Sequence, residues 1–198
     1  MLRVLPVFVG LTLLAPTHSQ PSATAYFAGG CYWGVESVFD HVQGVKKAVS
    51  GFGYGAADSV AGVRRRPNHT GFAEAVKVTY DPSKISYHDL LTIFFKVVHD
   101  PTQLDRQGPD VGTRYRSALF VTDSTQFRIA RAFLDSLDQS ARAGRPIVTD
   151  LVMFGHFKPA PESQQDFAEQ NPTMPYIMVN DVPKIEALKA TFPERYRG

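Results

Sequence analysis

Within two residues, Gly29 and Gly30, this chain has to end a strand and begin a helix. Ahead of them, Ala25-Tyr26-Phe27-Ala28 is a short apolar run of strand character. Behind them, Val35, Val38, Phe39 and Val42 recur at i, i+3, i+4 and i+7, the apolar stripe of an amphipathic helix. The seam carries Cys31 and Trp33, the single cysteine and single tryptophan among 198 residues. Cys31 is therefore predicted at or within the first turn of the helix. Unpaired N–H groups and the positive end of the helix dipole favour an anion there. For a thiol this predicts a lowered pKa and more nucleophilic thiolate at neutral pH. The competing reading is a buried free cysteine packed as a small apolar side chain. The glycines and the helix start favour the reactive one.

One cysteine also sets limits. No internal disulfide can form, and no thiolate-rich zinc site can be built. His18, His41, His69, His88, His99 and His156 show neither His-x-His nor His-Glu-x-x-His spacing, so no bound metal is expected. The net charge of +2 is too mild to point to nucleic acid. Arg64-Arg65-Arg66, the one basic run, is followed by Pro67-Asn68 and reads as a solvated loop. Hydrophobic content of 43% and charged content of 20% are those of a globular chain, at a length that suits one domain.

The N-terminus follows another pattern. Met1 to Arg3 is a short positive region, Val4 to Pro16 an apolar run, and Thr17-His18-Ser19 offers small residues for cleavage. The run is shorter than the roughly 20 residues needed to span a bilayer. This layout predicts a secretory signal peptide over residues 1–19 and a single catalytic domain over residues 20–198. The protein is expected to be exported, periplasmic or secreted, with no stable membrane insertion after cleavage. An unpaired thiol is unusual in an oxidising compartment, which again marks Cys31 as reactive.

Along the remaining chain, Val45 to Phe52 reads as a strand leading into Gly51-Phe52-Gly53-Tyr54-Gly55, a flexible loop whose aromatics Phe52 and Tyr54 line a pocket. Residues 56–71 read as a long surface loop. Phe72 to Tyr80 alternates as a strand, placing Glu74 on one face with Val76, Val78 and Tyr80. If that face points inward, burial raises the Glu74 pKa and makes it a proton donor; the plainer alternative is a solvated strand end. Ser86 with Asp89 opens a helix that His99-Asp100-Pro101 stops. The polar segment from Thr102 to Arg116 reads as a binding loop. A strand at Ala118–Val121, a helix from Asp123 or Ser124, and a strand at Ile147–Met153 follow. A short helix over residues 162–169, a strand at Tyr176–Val179 and a terminal helix from Pro183 to Phe192 complete the chain. The irregular alternation predicts an α+β two-layer sandwich with a mixed, largely antiparallel central sheet, flanking helices and a ferredoxin-like core.

Taken in order, these segments resemble the A-type peptide-methionine sulfoxide reductases, from about Ala25 to Tyr196. The most specific match is Gly30-Cys31-Tyr32-Trp33-Gly34. Gly71-Phe72-Ala73-Glu74, Tyr80-Asp81-Pro82, His99-Asp100-Pro101, Arg106-Gln107-Gly108 and Gly112-Thr113-Arg114-Tyr115-Arg116-Ser117 support it. The resemblance implies that Cys31 attacks the sulfoxide sulfur and Glu74 protonates the oxygen. Tyr32 and Trp33 would wall the site for the substrate methyl, with Asp110 and Tyr115 as polar pocket residues. Phe52 stands where the family commonly has tyrosine, and Tyr54 offers a hydroxyl two residues on. Phe72 stands where histidine is usual. Implied substrates are methionine S-sulfoxide, free or in peptides and oxidised proteins, with no bound cofactor. The C-terminal stretch Phe192-Pro193-Glu194-Arg195-Tyr196-Arg197-Gly198 lacks a resolving cysteine. The implied reductant is therefore an external thiol, a thioredoxin-like protein or a small thiol. A monomer is expected.

The residues alone allow other chemistry. A cysteine-dependent hydrolase or acyl transferase needs a histidine base, for which His41, His69, His99 and His156 are candidates. A one-cysteine peroxidase also forms a sulfenic acid. A non-enzymatic module could bind apolar peptide side chains through Tyr32, Trp33 and Phe52.

Overall fold

The computed structural model describes residues 22–56, 64–67, 69, 71–140 and 144–198. The leader read over residues 1–19 lies outside the described residues, as does much of the 56–71 loop. The first strand and helix fall where the seam predicts: β1 (Ala23–Gly29) runs through Gly30 and Cys31 into α1 (Tyr32–Asp40). Then come β2 (Val45–Gly55), β3 (Ala73–Tyr80) and α2 (Tyr87–Ile93), whose last turn widens into a π-helix over Phe94–Val98. α2 starts on a capping box: the Asp89 N–H donates to Ser86 Oγ at 3.1 Å, and the Ser86 N–H donates to Asp89 Oδ2 at 3.2 Å. Such a cap contributes about 1 kcal/mol.

A two-residue hairpin, β4 (Arg106–Gln107) with β5 (Asp110–Val111), and a 3₁₀ turn (Thr113–Tyr115) lead into β6 (Ser117–Val121). α3 (Ser124–Ser140) crosses over to β7 (Asp150–Pro159). The C-terminal part holds α4 (Phe167–Gln170), α5 (Pro175–Asn180) and α6 (Val182–Thr191).

The sheet is mixed and largely antiparallel, with only β6 and β7 parallel. It is not the open layer of a ferredoxin-like sandwich. β1 pairs with both β3 and β6, so the five strands close into a barrel in the order β1-β3-β2-β7-β6. Five strands enclose little space, because barrel width grows with strand number. The inner face accordingly holds small residues, Ala28, Ala73, Ala75 and Ala118, around Tyr26, Phe120 and Val152. Gly53 completes that economy of volume: a Cβ there would stand 2.8 Å from the Phe120 ring.

Gly51 to Gly55 is therefore strand and not the flexible loop expected from its glycines. Its alternate positions point into a barrel that has no room for side chains. The opposite face of the sheet carries Ala25, Phe27, Val76, Val78, Leu119, Val121 and Leu151, packed against Val35 and Phe39 of α1, Leu90 and Leu91 of α2, and Leu134 of α3.

Two other expectations are corrected. The strand read at Ile147–Met153 runs instead over Asp150–Pro159, because its polar second half pairs with the glycine-rich end of β2. The strand read at Tyr176–Val179 is the helix α5, which opens on Pro175 at its first position, where the missing N–H costs nothing.

Candidate active site

Gly30 has φ +98°, a turn conformation that L side chains avoid, and a Cβ on it would lie 2.7 Å from the Gln107 side chain. Glycine here both turns the chain and seats the β4–β5 hairpin against the start of α1. Cys31 is the N-cap of α1, half-buried. Glu74, near the start of β3, is 3% exposed and lies opposite Phe52 in the β2–β3 register. The Tyr32 N–H, an orphan donor at the helix start, donates to Glu74 Oε2 at 3.3 Å. Glu74 Oε1 accepts from Arg114 Nε at 3.1 Å and from Nη2 of the same guanidinium.

These groups border a cavity of about 420 Å³. Six of the seven site residues expected from sequence line it: Cys31, Tyr32, Trp33, Glu74, Asp110 and Tyr115. Phe52, expected in the lining, backs Tyr32 edge-on with ring centres 5.9 Å apart. Tyr54 does not line the cavity either; it stacks on His156 at 4.1 Å. The tyrosines that line the cavity are Tyr32, Tyr115 and Tyr176.

Four lining residues had no role in the sequence reading: Arg114, Gln164, Met174 and Tyr176. Trp33 is fixed by two of them. Its Nε1 donates to Gln164 Oε1 at 3.2 Å, and its ring meets Tyr176 edge-on at 5.8 Å while stacking on Phe167 at 4.0 Å. The Tyr176 hydroxyl donates to Asp110 Oδ2 at 2.5 Å, tying α5 to the hairpin. Pro175 was the available signal for Tyr176, since proline opening a helix argues against the strand. Arg114 stands in a family-like block that gave it no role of its own, and only the fold brings it to Glu74.

The thiol departs from expectation. Burial pushes the Cys31 pKa up to about 12, and the charges of Glu74, Asp181 and Asp110 add to the rise; the Trp33 N–H opposes it. One helix start does not outweigh burial among three carboxylates, so the resting group is a thiol. Glu74 does behave as its strand face predicts. Burial raises its pKa, against the Arg114 ion pair and the Tyr32 N–H. Burial prevails because the Arg114 side chain is 47% exposed and water screens it. The Tyr32 phenol is likewise pushed up to about 12, by burial and then by Glu74, and stays neutral. The arrangement sets a thiol, a protonatable carboxylic acid and neutral hydroxyls around a space with an aromatic wall.

No histidine among the described residues lines this cavity. His69 sits between Asp150 and Asp105, each at 2.6 Å. His99 is buried against Ser117 Oγ at 2.7 Å, and burial pushes its pKa down to about 4. His41 stacks on Tyr196 at 5.6 Å.

The family model described as peptide methionine sulfoxide reductase matches residues 23–196. A peptide methionine sulfoxide reductase MsrA 2 of Mesorhizobium japonicum is 50% identical over 175 residues, 88% of this chain and 90% of that one. The protein of the same description from Synechocystis is 39% identical over 182 residues, 92% of this chain and 85% of its own. Among solved structures, methionine sulfoxide reductase A of Corynebacterium diphtheriae superposes with a TM-score of 0.64 at 30% identity, covering 77% of this chain and 76% of that one. The reduced form of Mxr1 from Saccharomyces cerevisiae gives 0.62 at 28% identity, covering 78% and 88%.

Proposed function

Because this chain belongs to the peptide methionine sulfoxide reductase family, we propose that its Cys31 and Glu74 are the nucleophile and the acid of that reaction. The reaction is the reduction of methionine sulfoxide to methionine, a repair of oxidised methionine. The observation that carries the residue assignment is the Glu74 carboxyl, buried and raised in pKa, on the wall of the cavity that holds the only thiol.

In this reading the methyl group of a methionine S-sulfoxide lies against Trp33 and Tyr32, and its oxygen turns toward Glu74. Protonation of the oxygen draws electron density from the sulfur and removes the poor leaving group, worth roughly 10²–10⁴-fold. The Cys31 sulfur attacks the sulfoxide sulfur: an S–S bond forms as the S–O bond breaks, and the oxygen leaves as water with the Glu74 proton and the thiol proton. Water then adds to the Cys31 sulfur, the S–S bond breaks with its electron pair going to the methionine sulfur, and the proton that water releases returns to Glu74, which leaves Cys31 as a sulfenic acid. The raised Cys31 pKa fits a thiol that gives up its proton only when a polarised sulfoxide is in place. Asp110 and Tyr115 orient the substrate, and Phe52 acts through Tyr32.

The sulfenic acid has no second cysteine in the chain to condense with. An external thiol, thioredoxin-like or small, closes the cycle. Export also belongs to this reading, supported by the three-part layout of residues 1–19; the mature catalytic domain then begins at Gln20. Recovery of the protein with Met1 intact, or from the cytosol, overturns that part.

The decisive experiment is a single turnover of reduced protein with methionine S-sulfoxide and no added thiol. One methionine per protein, with Cys31 heavier by one oxygen, is the expected result. No methionine and an unchanged thiol overturn the assignment. A hydrolase reading has little support, because none of the candidate histidines lines the cavity.

A further inference from the structure

Met174, the residue before α5, lines the same cavity as Cys31 and is 38% exposed. A thioether open to solvent oxidants thus stands at the wall of a site for methionine sulfoxide. Its backbone is fixed: the Met174 N–H donates to the Asn171 carbonyl at 3.0 Å, and its carbonyl accepts the Met178 N–H at 3.0 Å. The side chain is unbranched, with three rotatable bonds, and stands among the residues that line the cavity with Cys31. One turn on, Met178 is 54% exposed and does not line the cavity. Two neighbouring methionines are open to the same oxidants, and one of them borders the space around Cys31.

We infer that Met174 is an internal substrate: oxidised by a peroxide to its S-sulfoxide, it is reduced by Cys31 of the same molecule. This rests on the reading of Cys31 as nucleophile. The steps balance. The peroxide gives one oxygen to the Met174 thioether and leaves as water. Cys31 then attacks the sulfoxide sulfur, the oxygen leaves as water, and a second water opens the S–S bond, so that two electrons end on the Met174 sulfur and Cys31 is left as the sulfenic acid. The external thiol restores Cys31, so the pair passes oxidising equivalents from peroxide to thiol. A tethered sulfoxide is presented at millimolar effective concentration, on the order of 10³ above a micromolar protein partner. Repair within the molecule therefore outruns repair between molecules.

The test masks Cys31 of the full chain as a mixed disulfide with a small thiol, oxidises the methionines with hydrogen peroxide, and removes the peroxide. A dithiol then frees Cys31, and peptide mass spectrometry follows the sulfoxides at positions 174 and 178. About half of the Met174 sulfoxide, the S epimer, is expected to disappear at a rate unchanged by tenfold dilution. Loss at Met178 slows as the protein is diluted, and Cys31→Ser retains both sulfoxides. The inference falls if Met174 takes up no oxygen, keeps its sulfoxide, or loses it in proportion to protein concentration. Free methionine S-sulfoxide in a parallel sample separates the two ideas. Its reduction without a dilution-independent phase at Met174 overturns the internal substrate alone, whereas no reduction overturns Cys31 as nucleophile and this inference with it.

Discussion

Glu74 on β3 and Glu36 on α1 are both buried glutamates, 3% and 1% exposed, and burial raises the pKa of each. Their partners differ. Glu36 Oε1 accepts the Ser50 N–H at 2.9 Å and Oε2 accepts the Asp166 N–H at 3.0 Å, so both oxygens are committed to backbone. Glu74 gives one oxygen to a backbone N–H at 3.3 Å and the other to a half-exposed guanidinium, and it borders the cavity with Cys31. Burial by itself therefore does not mark a catalytic acid. A carboxyl is available for chemistry where one of its partners can leave and a substrate can take its place.

The comparison is tested most severely at Glu74. Glu74→Gln is expected to slow the single turnover by roughly 10²–10⁴-fold with little change in thermal midpoint. A loss of less than tenfold removes Glu74 as the proton donor. Glu36→Gln should do the reverse. Its amide NH₂ must face a backbone N–H, so denaturant unfolding should show a loss of about 1–3 kcal/mol while turnover stays within about twofold. Equal damage to turnover in both variants would erase the distinction.

Arg114→Met sharpens the account of Glu74. With its cation removed, burial is less opposed and the acid keeps its proton to higher pH. The basic limb of the single-turnover profile should move up, and Arg114→Lys should recover part of the shift. A limb that moves down, or stays, contradicts the ion pair as a restraint on Glu74.

The smallest effect is a slope. The folded pKa of Glu36 is raised from 4.5 to about 7. Its stabilising contribution is therefore complete below about pH 4 and lost as pH rises through 7. Stability of Glu36→Gln should vary less than that of the parent over this interval, as unfolding at several pH values would show.

The seam at Gly29 and Gly30, the capping box at Ser86 and the buried, helix-packed face of β3 that carries Glu74 were legible because each is a local pattern. Trp33, Asp110 and Tyr115 were placed by resemblance, and the fold does gather them around Cys31. Barrel closure was not legible, although glycines at alternate positions 51, 53 and 55 are its trace. The same glycines suit a loop equally well, and only pairing with β7 separates the two. Tyr176 was missed because Tyr-Ile-Met-Val has strand character, which helical packing of α5 overrides.

The sequence by itself determined where Cys31 sits, at a turn between β1 and α1, because glycine placement and apolar periodicity act over a few residues. It also determined that the thiol has no partner in the chain. The ionisation of that thiol was decided by tertiary structure alone. Electrostatic interactions depend on distance through space, and it is the fold that surrounds Cys31 with Glu74, Asp110 and Asp181 and takes it out of water.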